Sequence, residues 1–209
     1  PVIVTDSNKN VYLATADNTV VKADKNLNTL WTFTGHNESV FGVDVDSSGN
    51  VYSASLDGTV RKIDSTGTET WSFSLPIGLA LSVAVDRFGN VYVASNEPKV
   101  RKLDSEGTEI WTFDDHTDVI LSVAVDNSGN VYSCGNDSTV RKIDSTGTEV
   151  WSFGGQSGSI QTVRVDTSGN VYSSSAGSTG DNTVRKIDST GTEAWSFTGH
   201  TAGVGSVAV

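Results

Sequence analysis

Three histidines, His36, His116 and His200, fall at equivalent places in this 209-residue chain, and an imidazole can serve as acid, base or metal ligand. Pro76 and Gln156 occupy the corresponding places elsewhere, so hydrogen bonding within a loop is favoured over catalysis. Asp46, Asp86, Asp126 and Asp166 also recur and raise the question of calcium. Their setting, Asp46-Ser47-Ser48-Gly49-Asn50, lacks the alternating carboxylates and the distal glutamate of a calcium loop, so turn capping is preferred. Arg61, Arg101, Arg141 and Arg185 could ring an anionic ligand, but Glu69, Glu109, Glu149 and Glu193 repeat beside them and point to local ion pairs. Five tryptophans could stack sugars; alternating with phenylalanine along a strand, they read instead as core between sheets. Asp44 and Arg164 share one repeat position where other copies have alanine or valine, which makes them a candidate charge pair.

No G-x-S-x-G, H-E-x-x-H or phosphate-loop motif occurs, and serine is too frequent for a triad to be chosen from sequence. The lone Cys134 cannot form an internal disulfide, and no cysteine–histidine spacing suits zinc. No metal and no cofactor are expected, and the chain is not expected to be an enzyme. A net charge of −11 with only 14 Lys and Arg opposes nucleic acid and anionic membrane surfaces as partners. No apolar run is long enough to span a membrane, so a soluble chain is expected, cytoplasmic or secreted after processing.

The elements that hold these residues repeat. Tryptophans fall at 31, 71, 111, 151 and 195, and the Asn-Val-Tyr tyrosines at 12, 52, 92, 132 and 172. Both series give a period of 40, with 44 at the last tryptophan spacing, where the Ser174 to Asp181 loop is extended. Each copy reads as four short strands, a to d, separated by Gly, Asn, Asp and Ser clusters. In the second copy they are Phe41 to Val45, Val51 to Ser55, Thr59 to Asp64 and Thr70 to Phe73. Gly67, Gly107, Gly147 and Gly191 serve the c–d turns, with Leu27 in their place in the first copy. A single four-stranded sheet cannot bury both faces, so the copies must stack face to face.

Gly35-His36 and Gly199-His200 ahead of a strand, then Asp57-Gly58-Thr59-Val60-Arg61-Lys62-Ile63-Asp64, resemble the WD40 pattern of β-propellers. The tryptophan of the WD dipeptide is replaced by Ile63, Leu103, Ile143, Ile187 and Ala23, so the WD40 hydrogen-bond tetrad cannot be complete. The run from Ile63-Asp64 through Gly67 to Trp71 is similar to PQQ-type and NHL-type blades, in which the outer tryptophan docks on the next blade. The resemblance implies an all-β chain: one β-propeller domain over residues 1–209, with five four-stranded antiparallel blades and a ring closed by a terminal strand.

Strand a occurs six times against five copies of b, c and d. Either Pro1 to Thr5 or Val204 to Val209 completes the first blade, with the C-terminal copy, closer to the consensus, expected to do so; the third alternative is that the natural protein continues or that two chains combine into a larger ring. A monomer is favoured, with a strand-exchanged oligomer as the alternative.

Residues 81–120 and 121–160 match at more than half of their positions, which marks recent amplification of one blade. Departures from the repeat cluster in the d-to-a and b-to-c loops, which share one face of a propeller. Leu75, Ile77, Glu97, Lys99, Asp115 and His116 are the candidate ligand-binding residues there, although drift in tolerant loops also accounts for them. The leading expectation is a non-enzymatic binding or interaction scaffold with a protein or glycan partner. The alternatives are a multivalent lectin-like protein, a quinoprotein-like enzyme, and an engineered or model repeat with no ligand.

Overall fold

The computed structural model describes residues 2–176 and 181–209, so the extended loop after Ser174 lies partly outside the described residues. The described chain is all-β and forms five four-stranded sheets. The first comprises β1 (Val2–Thr5), β2 (Val11–Ala14), β3 (Val20–Ala23) and β4 (Thr29–Phe33). The second holds β5 (Val40–Val45), β6 (Val51–Ser55), β7 (Thr59–Ile63) and β8 (Glu69–Ser74). The third holds β9 (Ala80–Val85), β10 (Val91–Ser95), β11 (Val100–Leu103) and β12 (Glu109–Phe113). The fourth is β13 (Ile120–Val125), β14 (Val131–Gly135), β15 (Val140–Ile143) and β16 (Glu149–Phe153). The fifth is β17 (Ser159–Val165), β18 (Val171–Ala176), β19 (Val184–Ile187) and β20 (Glu193–Phe197). Strand order follows chain order in every sheet. No helix is long and apolar enough to cross a membrane.

Burial explains the strand chemistry. The second strands β6, β10 and β14 are buried at every residue, so both faces carry small or apolar side chains. The outermost β8 alternates between half-buried and exposed residues after its exposed first pair. The a–b turn is built locally. In the second sheet the Asp46 carboxylate accepts the backbone N–H groups of Ser48 and Asn50, the Asn50 amide and the Tyr52 hydroxyl. Asp6, Asp126 and Asp166 repeat the arrangement. Burial raises the Asp126 pKa and these donors more than reverse it, so the carboxyl titrates below the ordinary range.

The chain packs as two compact units. One holds residues through Ser95 together with Lys102–Ile110; the other holds Asn96–Arg101 and the residues from Trp111 onward. Within the first, β5 lies across β1 and β2, and β9 across β5 and β6; within the second, β17 lies across β13 and β14.

The first sheet corrects one expectation. The place beside β2 is taken by the N-terminal β1, in the register Val2↔Ala14 to Thr5↔Val11. The C-terminal run 204–209 forms no strand. A strand needs a partner edge, and β1 already fills the only edge that β2 has left beside β3.

Candidate functional site

The most chemically suggestive cluster lies beneath the loop that enters the second sheet. His36 Nδ1 is 2.9 Å from Asp57 Oδ2, and Nε2 is 2.8 Å from Ser53 Oγ. The carboxylate can only accept, so Nδ1 carries the proton and Nε2 accepts from the Ser53 hydroxyl. Thr59 donates its hydroxyl to the other carboxylate oxygen at 2.6 Å. Burial pushes the His36 pKa down, with Asp57 opposing, so the imidazole stays neutral. Asp57 would be raised by burial, but its hydroxyl, backbone and imidazole donors hold it well below the usual carboxylate range. His116 repeats the arrangement with Asp137 and Ser133, both at 2.7 Å.

The order of atoms is that of a hydrolytic serine triad, yet nothing can reach it. The His36 and His116 side chains are fully covered, and Ser53 and Ser133 are wholly buried. In place of the WD-dipeptide tryptophan, Ile63 and Ile143 are buried in the sheets, so the network ends at threonine.

The same network explains departures that looked like binding residues. In the fifth sheet Gln156 substitutes for histidine, accepting from Ser173 and donating to Thr183. In the third copy the positions of histidine, serine, aspartate and threonine are Pro76, Val93, Glu97 and Lys99. Both Val93 and Leu75 are buried in one apolar cluster with Tyr52, Val60 and Val83. Losing the histidine and the serine together, to Pro76 and Val93, avoids leaving either buried group without its partner. Glu97 instead forms a 2.8 Å ion pair with Arg101.

The candidate residues are therefore distributed as follows. Leu75 and Ile77 belong to the first unit; Glu97, Lys99, Asp115 and His116 belong to the second. Leu75 is buried and its N–H is tied to the Gly58 carbonyl at 2.9 Å. Ile77, two residues on, is 71% exposed. His116 is buried, Asp115 is exposed, and Glu97 and Lys99 are half-buried. Asp44 accepts the Val85 N–H of the following sheet at 2.9 Å, and Arg164 donates to its own neighbour's carbonyl, that of Val163.

One surface residue escaped sequence reasoning. The ladder of β5 with β6 slips between Val40↔Ser55 and Gly42↔Ala54, leaving Phe41 as a bulge residue that is 49% exposed. Leu81, Leu121 and Gln161 stand at the same slip in their sheets. The identical spacing of the slip was present in the sequence, but a register shift is a property of two strands.

Other repeated groups are committed to holding sheets together. The Trp31 and Trp71 indoles donate to the Ser65 and Ser105 carbonyls of the next copy, as Trp111 and Trp151 do to Ser145 and Ser189. Lys22 and Lys62 reach the same two carbonyls while lying over the Tyr12 and Tyr52 rings. Arg61 pairs with Glu69 at 2.7 Å, Arg141 with Glu149 at 2.5 Å, and Arg185 with Glu193. The c–d turn glycine of the next copy, Gly67, Gly107, Gly147 or Gly191, lies against each of these four indole rings. Among the described residues no cluster of three or more His, Cys, Asp or Glu is arranged to hold a metal.

A family model described as outer membrane protein assembly factor BamB matches residues 56–195, more than half of the chain. The chain belongs to that family. A second model, described as WD domain, G-beta repeat, matches residues 27–64. No curated protein matches the chain. The tryptophan-to-next-sheet bonds and the histidine networks show why features of both repeat types appear in one BamB-type chain. An anionic quinone would need converging cations, and in this BamB-type chain Lys22, Lys62, Arg61, Arg141 and Arg185 are already bound to carbonyls or carboxylates.

Proposed function

We propose that this propeller-repeat chain is a non-enzymatic interaction scaffold whose contact surface is the d-to-a and b-to-c loop face, with a protein as the partner. The observation that carries the reading is the Leu75–Gly78 loop. Leu75 is anchored in the core and its N–H is bonded to Gly58, which fixes the backbone and leaves Ile77 71% exposed at the tip. An apolar side chain on a rigid loop loses little conformational entropy when a partner covers it. The sealed histidine networks support the non-enzymatic part, since a nucleophile that water cannot reach does not turn over substrate. The family's description as an assembly factor agrees with a role exercised through contact.

The test compares proteins captured from a cell extract by the unmodified chain with those captured by Ile77→Asp, both shown to unfold at the same temperature. Loss of one partner at least tenfold supports the reading; identical capture removes this loop from the surface. A glycan array with the same two proteins reads the lectin alternative, for which a signal unaffected by Ile77→Asp would replace the protein partner.

A further inference from the structure

Two adjacent turns of the third sheet depart from the repeat together. The a–b turn keeps its frame: the buried Asp86 carboxylate accepts the Phe88 and Asn90 N–H groups at 2.8 and 2.9 Å and the Tyr92 hydroxyl at 3.0 Å. On that frame stand Arg87 and Phe88, where the second sheet has Ser47 and Ser48. The c–d turn beside it carries Glu106, where other copies have Thr66, Thr146 and Thr190. The two turns touch, since a Cβ added to Gly89 would stand 3.4 Å from Ser105 Cβ. Arg87, Phe88 and Glu106 all belong to the first unit.

These three side chains do little for the fold. Phe88 is 63% exposed, so most of its apolar surface stays in water. The Arg87 guanidinium carbon lies 4.6 Å from the centre of the Phe88 ring and has no carboxylate partner among the described residues, whereas Arg61, Arg141 and Arg185 each have one. Glu106 is exposed, and its carboxylate takes only the Ser105 hydroxyl, at 3.2 Å. An aromatic ring beside an uncommitted guanidinium is the pairing that dominates the energetics of protein contacts. Stacking on the ring orients the planar fork of N–H groups that matches a carboxylate. The hydrogen-bonded turn has little backbone freedom left to lose when a partner covers it.

We infer that Arg87, Phe88 and Glu106 form a contact site for a peptide segment of a partner protein, one that presents an acidic, an apolar and a basic side chain next to one another. Charge complementarity selects this occupant. Arg87 takes the carboxylate, Glu106 takes the cation, and Phe88 covers the apolar group. A polyanion such as nucleic acid would meet Glu106 and a net charge of −11. The site follows β9 and Ile77 precedes it, so this six-residue strand sets the two about 20 Å apart. It is therefore a second contact of the scaffold, built from residues on which the Ile77 surface does not depend.

A phage-displayed library of random twelve-residue peptides tests this, selected on the full chain after depletion on the Arg87→Ser, Phe88→Ser double variant. That variant installs the pair already present at Ser47 and Ser48, on a turn with the same frame, and should unfold at the same temperature as the unmodified chain. The expected result is a set of peptides that share the acidic, apolar and basic triplet and bind the double variant at least tenfold more weakly. Glu106→Thr should weaken these peptides as well, but not their derivatives in which the basic residue is replaced by glutamine. That selective loss is a readout that misfolding cannot imitate. Ile77→Asp should leave the affinities unchanged, which separates this site from the loop surface proposed above. Failure to enrich any peptide would overturn the proposal. So would enriched peptides without the triplet, or a Glu106→Thr effect that is the same with and without the basic residue.

Discussion

The indole N–H of Trp71 donates to the carbonyl of Ser105 at 2.9 Å, and Gly107 lies against the same ring, so a Cβ added to Gly107 would stand 2.9 Å from Trp71 Cδ2. Gly107 also has a φ of +83°, the left-handed region that side chains disfavour. Gly107→Ala should therefore destabilise the chain by about 1–3 kcal/mol, through the clash and the backbone together. Gly154, with nothing within 4 Å of an added Cβ, is the control: Gly154→Ala should stay within about 0.5 kcal/mol. Urea midpoints of the two variants check both values, and equal midpoints would disprove the docking argument.

Acid should unfold the chain in part through the histidine networks. Burial would raise the Asp137 pKa, but the His116 and Thr139 donors lower it to about 2, below the roughly 3.9 of an unfolded chain. A depressed carboxyl contributes stability that is present above the unfolded pKa and lost as pH falls through the folded one. That places the loss between about pH 4 and pH 2. The lowered pKa of His36 acts in the same direction at higher pH, because the unfolded imidazole takes up a proton that the folded one resists. Asp137→Asn should be less stable than the unmodified chain near neutral pH and show a shallower loss below about pH 4. Denaturation curves across that range that run parallel would refute this account.

The apolar replacement in the third copy predicts an asymmetry. Val93→Ser places a hydroxyl beside buried Leu75, among apolar neighbours, and should cost about 1–3 kcal/mol. Ser133→Val, its converse in the fourth sheet, should cost a similar amount for the opposite reason, by leaving His116 Nε2 without its donor. Thermal unfolding reads both, and neutral behaviour of Val93→Ser would show that the site accommodates a polar group.

Gly135 occupies a position where the second, third and fifth sheets have serine, yet a Cβ there would stand 2.0 Å from the Val119 carbonyl oxygen. That carbonyl is held by the Asn136 N–H at 2.9 Å, so it cannot simply turn away. Gly135→Ala should destabilise by about 1–3 kcal/mol although alanine is smaller than the serine found elsewhere. A neutral result in urea denaturation would mean that the loop before β13 repacks freely.

The sequence by itself determined whatever depends on residues a few places apart. The period, the four strands of each copy, the Asp46–Asn50–Tyr52 turn and the Arg61–Glu69 pair were all legible because each partner lies within one copy of the repeat. The tertiary structure alone decided the rest. Phe41 is exposed because two strands slip by one residue. Leu75 is buried because Val93, on another strand, has lost the hydroxyl that a histidine would need. The run 204–209 has the composition of a strand but forms none, and it is β1 that pairs with β2; propensity belongs to a segment, but a strand exists only as half of a pair.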